Sequence, residues 1–274
     1  MSVGPAHEPH ERGPWDTARS LERVTREIRV VRESFLQSET LDTAVSRAIL
    51  DEVSGGRAPE TLRLHRPGPV VAFGSRDRVS PGYAEAVAAA RAHGFGAVQR
   101  LAGGRAAVFH QGTIAFAWAR PERDPKSGIL PRFEEVAGIM AAALRSLGLD
   151  ARVGQVPGEY CPGPHSVNAG GRRKLMGVGQ RLAPAAAHVG GVVVVTGAPR
   201  VRDVLVPVYR AMGLEWDPST AGSVEQEDPS LGWDAVADAI LAEFGRRYLL
   251  REGRLEAGTV ERARAEEDRF RPAV

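Results

Sequence analysis

What most constrains this chain is the rhythm of its apolar residues. Runs long enough for a strand, and no longer, recur between a few segments with helical spacing. Residues 61–65 and 70–73 read as two strands around the turn Arg66-Pro67-Gly68-Pro69. Further strands are expected at 97–100, 106–109, 113–119, 151–153, 166–168, 173–181 and 188–196. Helical spacing marks 38–53, 83–93, 133–147, 201–212 and 233–249. Ser38 or Thr40 suits the cap of the first helix, and Gly94 and Gly148 end the second and third. Short strands interspersed with hairpins and helices argue against a strictly alternating, doubly wound sheet. They predict an α/β (α+β) domain, with a mixed β-sheet and flanking helices. Residues 1–20 are polar and predict a disordered tail, 21–252 a single domain, and 253–274 a charged helix or tail. No internal repeat is present.

Composition narrows the function. Lys and Arg total 36 against 34 acidic residues, for a net charge of +2. The arginines are scattered, and no aromatic residues interleave with a basic block, so nucleic acid is not an expected partner. No apolar run approaches the roughly 18 residues of a membrane helix, and the N-terminus lacks the apolar core of a secretory signal. The single cysteine, Cys161, excludes an internal disulfide framework and an all-cysteine metal site. These points favour the cytoplasm, with no membrane span and no metal site expected.

Three segments carry candidate chemistry. The first is RLAGGRAAVFHQ, from Arg100 to Gln111. Adjacent Gly103 and Gly104 after a strand let backbone approach a ligand, and Arg100 and Arg105 suit a phosphate or carboxylate. Taken alone, it is also an ordinary tight turn with solvated arginines. The second is GRRKLMGVGQR, from Gly171 to Arg181. Strict alternation puts Lys174, Met176, Val178 and Gln180 on one face, and leaves the other bare at Gly177 and Gly179. Lys174 is one of two lysines in a chain that otherwise uses arginine, so it marks a place where a guanidinium fails, unless it merely guards a sheet edge. The third is Cys161, in the loop Pro157-Gly158-Glu159-Tyr160-Cys161-Pro162-Gly163-Pro164. A lone cysteine is usually a small buried apolar residue, but this one sits in a loop, and a nearby ammonium favours its thiolate.

In order and spacing, these segments resemble the lipoate-protein ligase and octanoyltransferase superfamily, related to biotin-protein ligase catalytic domains. The first is similar to R-x-x-G-G-[GR]-A-V-x-H-D and the second to G-R-K-x-x-G-x-A-Q-R. HVGGVVVV at His188 is similar to the family's H-G-S strand, and Val70–Gly74 to its V-V-x-G strand. The resemblance implies a biotin/lipoate-ligase-like fold and a first loop that closes over an acyl chain. It implies that Lys174 contacts the acyl carbonyl and that Cys161 stands where cysteine-type octanoyltransferases carry their nucleophile. Arg100, Gly103, Gly104, Arg105, Val108 and His110 become expected substrate contacts, as do Met176, Gly177, Gln180 and His188. Val108 and Met176 are expected to wall the acyl slot. Departures from the pattern are Gln111 for the family's Asp, Gly191 for its Ser, one extra residue between Arg105 and Val108, and no acidic residue at Ser166 or Asn168.

Three functions follow from the resemblance. In the first, octanoyl passes from an octanoyl-acyl carrier protein, through Cys161, to the lysine of a lipoyl-carrier protein, with no cofactor. The acceptor would be a glycine cleavage H protein or a dehydrogenase E2 lipoyl domain. The second is an ATP- and Mg-dependent lipoate ligase, with Cys161 a bystander. The third is a binding protein without turnover. The Gly-Gly-Arg form of the loop, and a chain that stops soon after Leu249, lean towards the transferase.

Overall fold

The computed structural model describes residues 26–274. Strand β1 (Glu27–Val31) leads to helix α1 (Leu41–Ser54), then β2 (Thr61–His65) and β3 (Val70–Phe73). Helix α2 (Tyr83–Ala92) precedes β4 (Gly96–Gln99), β5 (Ala107–Phe109), β6 (Thr113–Pro121) and helix α3 (Ile129–Ser146). Strands β7 (Ala151–Val153), β8 (Val167–Ala169), β9 (Arg173–Ala183) and β10 (Ala186–Val194) follow. The chain ends with α4 (Ala198–Ala211), α5 (Trp233–Gly245), β11 (Leu249–Glu252) and α6 (Ala257–Glu266). Eight strands form one sheet, in the order β11-β1-β2-β6-β10-β9-β8-β7, and three form a second, β4-β3-β5. The large sheet is parallel through β11, β1 and β2 and antiparallel beyond. This is the mixed sheet with flanking helices that the spacing predicts.

Alternation along the strands divides the large sheet into two unlike faces. Leu62, Leu64, Ile114, Phe116, Trp118, Val189 and Val193 pack against Val136, Ile139 and Met140 of α3 and Ile240 and Phe244 of α5. Each such side chain contributes about 1.5–3 kcal/mol when fully buried. Towards the middle of the sheet, many of the intervening residues are small. Ala115 and Ala117 of β6 stand beside Val192 and Gly190 of β10, and Gly190 beside Gly179 of β9. The second sheet lies over this depleted face. Val71 and Phe73 of β3 turn away from it, into a core shared with α2 and α4.

One expectation needs correction. Residues 246–249 do not extend the last predicted helix. The helix stops at Gly245, and Leu249–Glu252 pairs with β1, Glu27 opposite Leu249. Strand β1 has too few residues and too much charge to stand out from its flanks. Of the two readings of 253–274, a charged helix or a tail, the structure has the helix, α6, packed onto the fold. Ala263 of α6 joins the α1 core, and Thr259 Oγ1 donates to Glu52 Oε2 at 3.0 Å. The predicted 1–20 tail lies outside the described residues. At α1, Ser38 rather than Thr40 supplies the cap, its Oγ accepting the Leu41 N–H at 3.1 Å. Among the described residues, no helix is long and apolar enough to cross a membrane.

Candidate active site

Lys174 reaches the site because β9 is not regular. Val167 pairs with Met176, but Asn168 pairs with Lys174, so Leu175 is an extra residue in the strand. This β-bulge resets the alternation. Leu175 and Met176 both enter the core behind the sheet. Lys174 turns instead to the small-residue face, its Cε 3.3 Å from where a Cβ on Gly177 would stand. The strict alternation that put Lys174 and Met176 on one face is therefore overturned. Met176 is fully buried and does not line the acyl slot.

The ammonium of Lys174 is buried, and each of its three donors is used. Nζ donates to Glu159 Oε1 at 3.0 Å, to the Tyr160 carbonyl at 3.0 Å and to the Cys161 carbonyl at 2.8 Å. It also lies 4.9 Å from the Tyr160 ring centroid, a cation–π contact. Glu159 organises the rest of the loop: it accepts Ser166 Oγ at 2.6 Å and the Gly163 and Val156 amides. The acidic partner missing at Ser166 and Asn168 is thus supplied from within the cysteine loop.

Cys161 is the one non-glycine with positive φ among the described residues, at 43°. Such a conformation costs of order 1–3 kcal/mol and persists only where surroundings impose it. Here both ends of the residue are tied. Its carbonyl accepts from Lys174, and its N–H donates to Tyr209 Oη at 2.9 Å. The tyrosine hydroxyl in turn donates to the Ala106 carbonyl at 2.9 Å. Burial, with the cysteine beside it, holds the Tyr209 phenol well above its ordinary pKa, so it remains a neutral hydroxyl.

This conformation delivers Sγ to the glycine loop. The Arg105 amide donates to Sγ at 3.2 Å and Arg100 Nη1 at 3.5 Å. Arg100 also donates to the Arg105 carbonyl at 2.8 Å, which stiffens the loop. The Arg105 side chain does not reach the sulfur. It pairs with the buried Asp77 at 3.2 Å, whose other oxygen accepts the Gly74 amide. Burial raises Asp77 above the usual carboxylate range, against the pull of those two donors. Gly104 has φ 118°, and a Cβ there would stand 2.9 Å from Sγ and 2.8 Å from Arg100 Nη1. Neither the backbone nor the space admits a side chain.

Between the two sheets lies a cavity of about 90 Å³. Its walls include Val70, Ala72, Val98 and Phe109 on one side, and Ala115, Ala117, His188 and Gly190 on the other. Arg100, Leu101 and Ala102 line it next to the cysteine, and Asp42, Ser46 and His65 line it beside α1. Val108, expected on this wall, points the opposite way into the second core, since Phe109 takes the cavity side of β5.

Other expected contacts scatter. His188 does line the cavity, buried with Nδ1 unpaired, and burial lowers its pKa to about 4. His110 lies in the β5–β6 turn, where Nδ1 accepts the Gly112 amide at 3.0 Å, outside the cavity lining. Gln180 ties Arg132 and the Ile129 carbonyl to β9, while its own carbonyl accepts the Gly103 amide at 3.4 Å. The structure therefore gathers Arg100, Gly103, Gly104, Arg105, Cys161 and Lys174, and adds Glu159, Tyr209 and Asp77. Nothing local in the sequence marks Tyr209 or Asp77. Glu159 carried one signal, its place two residues before the cysteine.

Comparison with known proteins agrees with the geometry. A model of the lipoyl protein ligase A/B catalytic domain matches residues 40–245. An octanoyl-[GcvH]:protein N-octanoyltransferase of Geobacillus kaustophilus is 28% identical over 172 residues, 63% of this chain and 60% of that protein. Octanoyltransferase LipM of Moorella thermoacetica is 31% identical over 156 residues, 50% of this chain and 54% of that one. The chain thus spans about half to three-fifths of the length of these curated relatives. Among solved structures, lipoate-protein ligase A bound with ATP superposes with a TM-score of 0.72 at 19% identity, covering 88% of this chain and 94% of that one. A bipartite ligase from Thermoplasma acidophilum gives 0.68 at 20% identity, covering 89% and 92%. The family match takes in every strand from β2 to β10 and both glycine-bearing segments, and the chain belongs to the lipoyl protein ligase A/B catalytic domain family.

Proposed function

We propose that this protein moves an octanoyl or lipoyl group to the lysine of a lipoyl-carrier protein through a thioester on Cys161. The observation that carries this reading is the cysteine itself: left-handed, tied at both ends, with Sγ held against the Arg105 amide and the Arg100 guanidinium. A structural cysteine needs none of these supports. The names of the relatives support octanoyl transfer as the chemistry.

In the first step the Cys161 thiolate adds to the acyl carbonyl of the donor. A C–S bond forms, the donor's bond to the carbonyl breaks, and the departing group takes a proton. In the second, the lysine amine of the acceptor adds to the thioester, the C–N bond forms, sulfur leaves, and the amine releases its proton. Splitting the exchange this way replaces one difficult displacement with two easier ones. The Arg105 amide and Arg100 are the donors placed to stabilise each oxyanion, and one such donor is typically worth about 3–4 kcal/mol. Lys174, with its donors occupied, acts as a positioning residue that holds Cys161 in place. The acyl chain occupies the cavity between the sheets.

An octanoyl-acyl carrier protein is the thioester donor in this reading. The Geobacillus relative's name adds an octanoylated glycine cleavage H protein as a second donor; the acceptor is an unacylated H protein or, where H protein is the donor, an E2 lipoyl domain. The reaction uses neither ATP nor Mg, and belongs in the cytoplasm, where a free thiol stays reduced. The test is intact-protein mass after incubation with each octanoylated carrier, without ATP. Wild type should gain one octanoyl group and Cys161→Ser none. ATP-dependent adenylate formation from free lipoate, with no adduct, would replace the transferase by a ligase. Neither product would leave a binding protein.

A further inference from the structure

A second pocket, of about 260 Å³, is lined by Arg100 but not by the cysteine. Five arginines line it: Arg47, Arg78, Arg100, Arg181 and Arg269. No aspartate or glutamate does. Two of the five reach carboxylates outside the lining, Arg47 to Asp51 at 2.7 Å and Arg269 to Glu266 at 2.8 Å. Both are short-range pairs within a partly exposed segment, the kind that contributes least. Arg78 donates to the neutral Gln99 Oε1 at 3.2 Å and forms no ion pair among the described residues. The chain brings these groups together from five separate places: α1, the turn after β3, the loop after β4, β9 and the segment after α6. That last segment adds Phe270 beside Arg269, so the C-terminal residues complete the pocket rather than hang from it.

Gathering like charges around one concavity is unfavourable unless an anion fills it. Guanidinium forks match phosphate oxygens in geometry, and several forks suit a phosphate better than a single carboxylate. Phe270, half-buried, gives the same wall apolar surface for an organic body attached to the anion. Arg100 and Leu101 line this pocket and the acyl cavity alike, and Arg100 touches Cys161 Sγ. The two pockets therefore adjoin at Arg100 and Leu101.

We propose that this arginine-lined pocket is an anion site for a phosphate ester carried by the acyl donor, of the kind a pantetheine-type thioester arm bears. The site assignment stands on the pocket. Only its link to acyl delivery rests on the transferase reading above. The site would make the protein select phosphorylated thioester donors over donors without phosphate.

The test uses the full-length protein and two probes that differ by one phosphate, 4′-phosphopantetheine and pantetheine. Calorimetry should show the phosphorylated probe binding about tenfold or more tightly, with an advantage that shrinks as salt rises. The double variant Arg181→Gln/Arg269→Gln should lose that advantage while melting at the wild-type temperature, since both side chains are exposed. With the octanoyl esters of the same probes, the variant should raise KM for the phosphorylated donor alone and leave kcat unchanged. Equal binding of the two probes by wild type, or an unaltered difference in the variant, overturns the site. Displacement of the phosphorylated probe by acidic peptides but not by inorganic phosphate also overturns it. Binding of phosphopantetheine without acyl transfer from any donor would retain the site and sink the transferase reading.

Discussion

At the scale of single residues, the ion pair of Lys174 and Glu159 explains most of the site. Both groups are buried, and the carboxylate accepts four donors while the ammonium fills three acceptors. Removing one member of a buried pair costs about 3–5 kcal/mol, because the other is left charged and uncompensated. A change of that size lowers the melting temperature by roughly 2–4 °C per kcal/mol in a chain of this length. Lys174→Ala should therefore melt at least about 6 °C below wild type and lose acyl transfer. Lys174→Arg should also fail, since a planar guanidinium cannot match three acceptors arranged around a compact ammonium. The Lys174→Met/Glu159→Gln pair should recover part of the stability without activity. Differential scanning calorimetry decides: a melting point for Lys174→Ala within one or two degrees of wild type would show that the pair is not as buried as its geometry indicates. A lysine read from sequence as facing ligand, with little role in packing, thus has a second role that its neighbours in the chain do not announce. Scarcity singled out Lys174 and loop position singled out Cys161. That they meet through the cysteine's own carbonyl was not legible, because Glu159, Tyr160 and Cys161 come together with Lys174 only once the loop folds onto β9.

Among the elements, β9 is where local reading went furthest and then stopped. Its glycines correctly pointed to a close approach. A Cβ on Gly179 would stand 2.9 Å from the Gly103 carbonyl and 3.0 Å from Ala102 Cβ, so the glycine loop rests directly on this strand. Gly179→Val should lift the loop from the sheet and displace Arg100 and the Arg105 amide from Sγ. Displacement of an oxyanion donor typically costs about 100-fold or more in rate. Far-UV circular dichroism should be unchanged, since valine suits a strand. Single-turnover transfer at the wild-type rate would mean that the loop does not use this seat. The bulge at Leu175 escaped notice because it depends on register with β8, which periodicity within one strand does not reveal. Strand β11 escaped for a related reason: Leu249–Glu252 is exposed and charged, and only its pairing with β1 makes it a strand.

For the molecule as a whole, the fold buries three histidines, His65 and His188 on the cavity and His110 in the β5–β6 turn, and these set a pH limit. Burial lowers His188 and His110 to about 4, and places His65 well below its ordinary value. The unfolded chain, with histidines near 6.5, binds more protons than the native state between those values. Stability is thus complete above about pH 6.5 and declines as pH falls towards 4, by up to about 1.4 kcal/mol per pH unit for each histidine. Urea unfolding at pH 7, 5.5 and 4.5 should show this decline, and His188→Gln should flatten it. A wild-type midpoint that does not move across this range would mean these imidazoles stay hydrated. By itself, the sequence determined the fold class, most helices and strands, the glycine loop, and the two residues that stand out chemically. These are properties of periodicity, turn chemistry and residue scarcity, all set within a few positions of the chain. Only the tertiary structure decided which faces the strands present, that Val108 and Met176 belong to cores rather than to the acyl slot, and that Tyr209 and Lys174 hold the cysteine. It also brought five distant arginines around one pocket. Those outcomes depend on register and on packing between segments far apart in the chain, which no local pattern encodes.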